Sequence, residues 1–197
     1  REAYLLMQTG KDPVILMQLF NHYPMARVLS WIQDVRWAGA NTTHSVVELF
    51  RERGLESKKL GLAGSISYQV YSQLRESYPG ATFVDLSGKM RMMRTIRSAE
   101  EIERIRFASE LTDRSIEALA EGLRAGMRED EIPALIEPVY LKAGGYAGIH
   151  FMSSMPMRAP DFPVPSQFHS KRKLEKGDAL ITEISGAYSG YSGQIHR

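Results

Sequence analysis

The sequence has no cysteine among its 197 residues. This absence excludes disulfide bonds, zinc–thiolate sites and a thiol nucleophile, and it suits a protein of the reducing cytoplasm, which is the location we expect. Long apolar runs are missing too, because no segment approaches the ~20 consecutive apolar residues that cross a bilayer. Neither end resembles a signal peptide. Since 43% of the residues are nevertheless apolar, the composition predicts a globular protein with a packed core and no membrane partner.

An excess of charge of one sign is also absent, with 25 basic residues against 23 acidic ones. This balance gives no reason to expect nucleic acid as a partner. The one basic run, Lys171 to Lys173, lies in a polar stretch and is interpreted as a solvated turn. Glycine-rich phosphate loops, the G-x-S-x-G elbow and the His-Glu-x-x-His helix are missing, so nucleotide binding, serine hydrolysis and zincin chemistry have no support.

The first ninety residues alternate between strand-like and helix-like patterns. The apolar run from Pro13 to Phe20 has the length of a buried strand, and the segment from Thr43 to Leu55 carries a helical apolar stripe that Gly54 would end. The same alternation continues with a strand over 58–64, a helix over 66–80 and a strand over 81–86. Strands that alternate with helices predict an α/β layer that is paired partly in parallel.

A long amphipathic helix is predicted to follow this layer. Ser98 and Glu101 have the spacing of a capping box, in which each side chain binds the backbone N–H of the other residue. The apolar face of this helix is predicted to consist of Ile102, Ile105, Ala108, Thr112, Ile116, Leu119 and Leu123. A second helix is predicted within 129–145, and shorter strand-like pieces follow it. We place the domain boundary at residue 90, within the segment 87–97.

The last seventeen residues, "ITEISGAYSGYSGQIHR", have the pattern of a β-hairpin. With Ser189 and Gly190 as the turn, Ser185 is opposite Gln194 and Glu183 is opposite His196. The period of two puts these four side chains on one face, where opposed residues are about 5 Å apart. The pattern therefore predicts a cluster of a carboxylate, an amide and an imidazole. On these residues alone, the cluster is either a solvated outer face or a functional site.

Several segments together resemble the creatinase, prolidase and aminopeptidase P superfamily, whose fold is called the pita-bread fold. They are "DVRW" at 34–37, "RTIRSAEEIERIR" at 94–106, "LRAGMREDEI" at 123–132 and the tail "KLEKGDALITEISGAYSGYSGQIHR". The resemblance implies an α/β N-terminal domain of the ribonuclease-H-like creatinase type over residues 1–90. It implies the first half of an α+β pita-bread domain over residues 91–197, and a homodimer.

The resemblance also implies roles for single residues. Glu183 and Gln194 occupy the positions of the two aspartates that bind metal in the peptidases of the superfamily. Ser166 stands where these peptidases have a histidine, and we expect it to contact substrate. Two divalent ions about 3.5–4 Å apart need several carboxylates, whereas Gln194 is neutral and a weaker ligand. We therefore expect no cofactor, and the alternative is a site for two divalent ions of Mn, Co or Zn.

The superfamily contains a metal-free branch, typified by creatinase, that hydrolyses a C–N bond in small amino-acid derivatives with His and Glu side chains. The resemblance to this branch suggests Glu183 and His196 as a catalytic pair, because imidazole is a natural proton carrier near neutral pH. One alternative is an Xaa-Pro dipeptidase or aminopeptidase with a weakened metal site, acting on dipeptides. Another is a binding protein without catalytic activity. The remaining catalytic residues of the superfamily are expected after Arg197, so we expect this chain to lack part of the active site.

Overall fold

A computed structural model describes residues 3–161 and 164–197 of the chain. The chain divides into two compact units, residues 1–96 and residues 97–197, and each unit is described separately. Together they show the expected fold class, an N-terminal α/β domain followed by part of a pita-bread domain. No helix among the described residues is long and apolar enough to cross a membrane.

The first unit contains two small sheets with helices between their strands. Its elements are β1 (Ala3–Gln8), β2 (Lys11–Met17), α1 (Tyr23–Leu29), β3 (Asp34–Trp37), α2 (Thr42–Glu52), β4 (Lys59–Leu62), α3 (Tyr68–Ser77), β5 (Thr82–Asp85) and α4 (Ser87–Met93). Strand β2 is antiparallel to β1 and parallel to β3, and β4 is parallel to β5. The predicted parallel pairing is therefore confirmed in both sheets.

The core of the first unit lies between its strands and the helices α2 and α3. The buried stripe of α2 is the predicted one and consists of Val46, Val47, Leu49 and Phe50. Gly54 has a φ of +67°, a conformation that glycine adopts without a steric penalty, and the N–H of Leu55 donates to the Phe50 carbonyl at 3.0 Å. This bond closes the helix, so the predicted helix end is confirmed.

Two boundaries in the first unit differ from the sequence-based expectations. Strand β2 ends at Met17 rather than at Phe20, because residues 20–22 form a 3-10 turn in which Phe20 is 61% exposed. An apolar run alone does not show where a strand leaves its sheet. The helix α4 extends across residue 90, and the compact units divide between Ile96 and Arg97, which is later than residue 90 but within the predicted segment 87–97.

The second unit consists of two helices packed on one face of an antiparallel sheet. Its elements are α5 (Ala99–Gly122), a 3-10 turn (Glu129–Glu131), α6 (Pro133–Lys142), β6 (Tyr146–Pro156), β7 (Asp178–Tyr188) and β8 (Tyr191–His196). The strand order is β6-β7-β8, with both pairs antiparallel. The predicted capping box is confirmed, because Ser98 and Glu101 bind each other's backbone N–H groups.

The core of this unit lies between the two helices and the inner face of the sheet. It is formed by Leu119, Ile132, Ile136, Met152, Leu174 and Ile184. The buried stripe of α5 consists of Ala108, Leu111, Thr112, Ser115 and Leu119. Ala108, Thr112 and Leu119 were predicted on it, whereas Leu111 and Ser115 were not. Ile102 was wrongly placed on this stripe, since it is 45% exposed. At the first turn of α5 the contact with the sheet is a hydrogen bond from the Tyr191 hydroxyl to Glu101. Ile102, in the same turn, is left partly open to solvent.

Candidate functional site

The hairpin formed by β7 and β8 has the predicted register. Glu183 pairs with His196, Ser185 with Gln194 and Tyr188 with Tyr191. The two turn residues, Ser189 and Gly190, have φ values of +49° and +85°, and a type I′ hairpin turn has this left-handed conformation at both central positions. Because the turn fixes the pairing, the period of two brings the polar side chains together.

Glu183 is the centre of the cluster, and each of its carboxylate oxygens has a partner on β8. The side-chain amide of Gln194 donates to Oε1 at 2.5 Å, and Nε2 of His196 lies 2.9 Å from Oε2. The Glu183 side chain is 18% exposed and that of His196 is 64% exposed. The predicted cluster is therefore confirmed as a set of contacts. Its carboxylate is sheltered, and its imidazole is open to solvent.

The neighbouring strand places an aromatic ring beside the carboxylate. Phe151 of β6 pairs with Glu183 on the side away from His196, and paired residues of an antiparallel sheet point to the same face. Phe151 is half-buried. A molecule bound at Glu183 would therefore meet an apolar ring on one side and an imidazole on the other.

Ser166 does not lie in this cluster. It forms an isolated bridge with Met152 on the far edge of β6, and its hydroxyl donates to the Phe168 carbonyl at 3.0 Å. His169, three residues further along, has its Nε2 at 3.1 Å from the carbonyl of His150. The structure brings together Glu183, Gln194 and His196, but it does not bring either of these loop residues into contact with them. The expectation that Ser166 contacts substrate remains a prediction.

A second carboxylate, which sequence reasoning missed, is buried nearby in the same unit. Glu129 accepts hydrogen bonds from the backbone N–H and the hydroxyl of both Ser154 and Ser170. Burial by itself raises the pKa of this carboxyl, but the bonds from the two serines outweigh burial and hold the pKa below its ordinary value. No sequence signal distinguishes Glu129 from the acidic residues that surround it in "REDE".

Arg172 extends this buried arrangement. Its guanidinium donates to the Ser154 hydroxyl and to both oxygens of Asp178, and the Asp178 side chain is only 6% exposed. Hydrogen bonds from Arg172 lower the pKa of Asp178. The arrangement fastens the segment before β7 to β6. It is a structural clamp at the start of the strand that carries Glu183.

A buried tyrosine and a half-buried histidine form another pair that the sequence did not reveal. The Tyr140 hydroxyl lies 2.8 Å from Nε2 of His150, between α6 and β6. Burial raises the pKa of Tyr140 and lowers that of His150, so both side chains favour their neutral forms. His150 therefore belongs to the core of the sheet rather than to the cluster around Glu183.

The donor atoms of the cluster do not suit a pair of divalent metal ions. Glu183 is its single anionic side chain, both of its oxygens are already hydrogen-bonded or ion-paired, and Gln194 presents a nitrogen rather than an oxygen to it. Within residues 3–161 and 164–197, no group of three or more His, Cys, Asp or Glu side chains could hold a metal ion. Two adjacent cations need more anionic oxygen than the one carboxylate of this cluster supplies.

Comparison with known proteins assigns a family to each unit. Residues 1–96 match the Creatinase/Prolidase N-terminal domain, and residues 103–197 match Metallopeptidase family M24. The two matches leave only residues 97–102 between them. Both families therefore agree with the division of the chain into two compact units.

Individual relatives match most or nearly all of the chain and extend beyond it. The Xaa-Pro dipeptidase of Pyrococcus furiosus is 24% identical and is matched over 99% of this chain and 53% of its own length. The creatinase of a Bacillus species is 27% identical, over 82% of this chain and 40% of its own length. The crystal structure of the prolidase from Pyrococcus horikoshii matches with a TM-score of 0.76 and 26% identity, over 99% of this chain and 53% of that one. The chain thus spans about half the length of these relatives, or less.

Proposed function

Because the chain belongs to the creatinase, prolidase and aminopeptidase P superfamily, we propose that it is the N-terminal part of a hydrolase that cleaves a C–N bond in a small amino-acid derivative. We further propose that this hydrolysis does not depend on a two-metal centre. One observation carries the proposal: the Glu183 carboxylate is engaged by an imidazole and an amide on the next strand, at 2.9 Å and 2.5 Å. The match to a creatinase supports the choice of substrate class.

In the proposed reaction His196 carries the proton and Glu183 orients it. Since Nε2 of His196 faces the carboxylate at 2.9 Å, Nδ1 is the ring nitrogen left to accept a proton from an attacking water. The water oxygen bonds to the carbon as the C–N bond breaks, and the proton passes to the leaving nitrogen. The carboxylate stabilises the imidazolium that forms in between.

The electrostatic balance of the cluster supports a chemistry carried by side chains. The imidazolium that forms during the reaction is balanced by the Glu183 carboxylate, and the amide of Gln194 adds a donor without adding charge. We also propose a cytoplasmic homodimer, which the absence of cysteine and the superfamily resemblance support respectively.

The second candidate is an Xaa-Pro dipeptidase or aminopeptidase with two divalent ions of Mn, Co or Zn. The names of several relatives, including the one from Pyrococcus furiosus, favour it. In that case Glu183 and Gln194 would be ligands, and further anionic ligands would have to come from outside residues 3–161 and 164–197.

Metal analysis and substrate turnover of the full-length protein separate these candidates. We expect less than one equivalent of metal per subunit after purification, turnover of creatine-like or ectoine-like compounds in the presence of a chelator, and loss of turnover in Glu183→Gln and His196→Ala. Near two equivalents of Mn, Co or Zn, with activity that requires them, would contradict the proposal. A protein that turns over neither these compounds nor Xaa-Pro dipeptides would be a binding protein.

A further inference from the structure

The hairpin backbone rests directly on helix α5, on the side away from Glu183. Gly186 of β7 and Gly193 of β8 are paired with each other. A Cβ at Gly193 would lie 2.5 Å from the Cα of Ser109, and a Cβ at Gly186 would lie 3.3 Å from Oγ1 of Thr112. The contact at Gly193 is possible only because glycine has no side chain. The two facing glycines therefore let the hairpin approach the helix at one point.

The Thr112 hydroxyl occupies that point and bonds to both strands. It accepts a hydrogen bond from the N–H of Gly186 at 2.9 Å, and it donates to the Gly193 carbonyl at 3.0 Å. The carbonyl of Ala108, in the preceding turn of α5, lies 3.1 Å from the same oxygen. Thr112 is 1% exposed, so water does not compete for these groups. One hydroxyl thus joins the two hairpin strands to each other and to the helix.

The site residues lie one to three positions from the two glycines. Gln194 follows Gly193 directly and reaches Oε1 of Glu183 at 2.5 Å, while His196 lies three residues after Gly193. A shift of β8 along β7 would move both side chains relative to the carboxylate. The placement of the cluster on one face of the hairpin therefore depends on how the other face is fastened.

From these contacts we infer that Thr112 is a positioning residue, which holds Gln194 and His196 in place opposite Glu183 through the hairpin backbone. The inference rests on the proposed function, because the cluster is the site that Thr112 would position. It does not require that Thr112 touch substrate. According to this inference, the hydroxyl of Thr112 rather than the volume of its side chain fixes the positions of Gln194 and His196 relative to Glu183.

Two substitutions at Thr112 and one control separate the hydroxyl from general stability. Thr112→Val keeps the shape and removes the hydroxyl, whereas Thr112→Ser keeps the hydroxyl. The control is Ser115→Ala, because Ser115 is a fully buried hydroxyl on the same helix, with contacts to the Leu111 and Ile136 carbonyls but not to the hairpin. All three variants are made in the full-length protein.

We expect Thr112→Val to lower kcat by about 10-fold to 100-fold with little change in KM, because a small displacement of catalytic groups is costly while substrate contacts stay intact. Thr112→Ser should restore most of kcat. Ser115→Ala should lower stability to a similar extent and leave kcat close to that of the unmodified protein. Equal kcat values for Thr112→Val and Ser115→Ala, or a failure of serine to restore kcat, would overturn the inference.

Amide hydrogen exchange gives a readout that does not depend on turnover. In Thr112→Val the amides of Gly186 and Gln194 should exchange about 10-fold faster than in the unmodified protein, whereas in Ser115→Ala they should not change, because Ser115 does not contact the hairpin. A full-length protein without turnover would refute the proposed function, yet this exchange would still test the role of Thr112. Unchanged exchange in Thr112→Val would refute that role even in an active enzyme.

Discussion

Glu129 and Glu183 are two carboxylates of the same unit, and each is held by hydrogen bonds, but their partners differ in kind. Glu129 is 4% exposed and is held by backbone N–H groups and short hydroxyl side chains of two serines. Glu183 is held by two longer side chains, and one of them, His196, is 64% exposed. The first arrangement has no freedom to exchange partners. In the second arrangement one partner is open to solvent, which fits the role that we propose for this cluster.

The difference between the two carboxylates is tested most directly by removing Glu129. In Glu129→Ala the donors of Ser154 and Ser170 lose their acceptor, and at least those of Ser154 are buried. Unpaired buried donors cost about 1–3 kcal/mol each, so we expect the free energy of unfolding to fall by about 3 kcal/mol or more. Urea unfolding of the full-length protein measures this loss.

The control for this substitution is Glu121→Ala, at the exposed end of α5. It removes a carboxylate of the same size from solvent, and we expect a change within about 0.5 kcal/mol. If the free energy of unfolding fell by similar amounts in the two variants, the hydrogen bonds to Ser154 and Ser170 would not contribute measurably to stability. Glu129 would then be an ordinary acidic residue of the turn.

The next largest effect should come from the attachment of the hairpin to α5. In Gly193→Ala the new Cβ would lie 2.5 Å from the Cα of Ser109, and a backbone atom cannot rotate away. We expect a loss of about 2 kcal/mol, in the range of overpacked cores. Ser192→Ala, at the exposed neighbouring position, is the matched control for thermal unfolding. A Gly193→Ala protein as stable as this control would mean that the helix does not press on the hairpin.

Acid should produce a smaller loss, and its direction follows from the pKa of Glu129. The folded protein holds this pKa below the ordinary value, so the unfolded chain binds the proton first as the pH falls. The stabilisation is therefore complete at neutral pH. It is lost below the ordinary pKa of glutamate, as the pH passes through the lowered pKa of the folded state. Asp178, whose pKa is lowered by Arg172, should contribute in the same direction.

Denaturant unfolding between pH 7 and pH 3 measures this loss of stability, which forms the acid limb of the pH profile. In Glu129→Gln, which is neutral at every pH, the limb should be shallower than in the unmodified protein, although the variant is less stable at pH 7. Parallel pH profiles for the two proteins would mean that the Glu129 carboxyl is not the group that titrates.

The contrast between the two carboxylates also shows what the sequence could predict. The cluster around Glu183 is local, because a two-residue turn and a period of two place residues 183, 194 and 196 together within one hairpin. The clamp around Glu129 is not local, since Ser154 and Ser170 lie 25 and 41 residues away. No periodicity relates positions so far apart, and "REDE" has the composition of a solvated turn.

The same distinction explains the errors on α5. Its beginning was predicted correctly, because a capping box is a contact between residues three apart. Its buried face was predicted with Ile102 and Thr112 on it and without Ser115, whereas Ile102 is 45% exposed and both Thr112 and Ser115 are buried. Their hydroxyls bond to carbonyls of the hairpin and of α6, and those partners become known only when the sheet and helices are assembled. Ser115 is therefore an example of a small polar core residue that a hydrophobic pattern misses.

The smallest effect on stability is expected at the site itself. Glu183→Gln keeps a side chain that can bond to Gln194 and His196 but removes the charge, and pairs with an exposed partner contribute little to folding. We expect the free energy of unfolding to change by less than about 1 kcal/mol, measured by urea unfolding, while turnover falls by about 100-fold or more because the imidazole loses its anionic partner. A loss of stability as large as that of Glu129→Ala would make Glu183 a second structural clamp, and the two carboxylates would no longer differ in role.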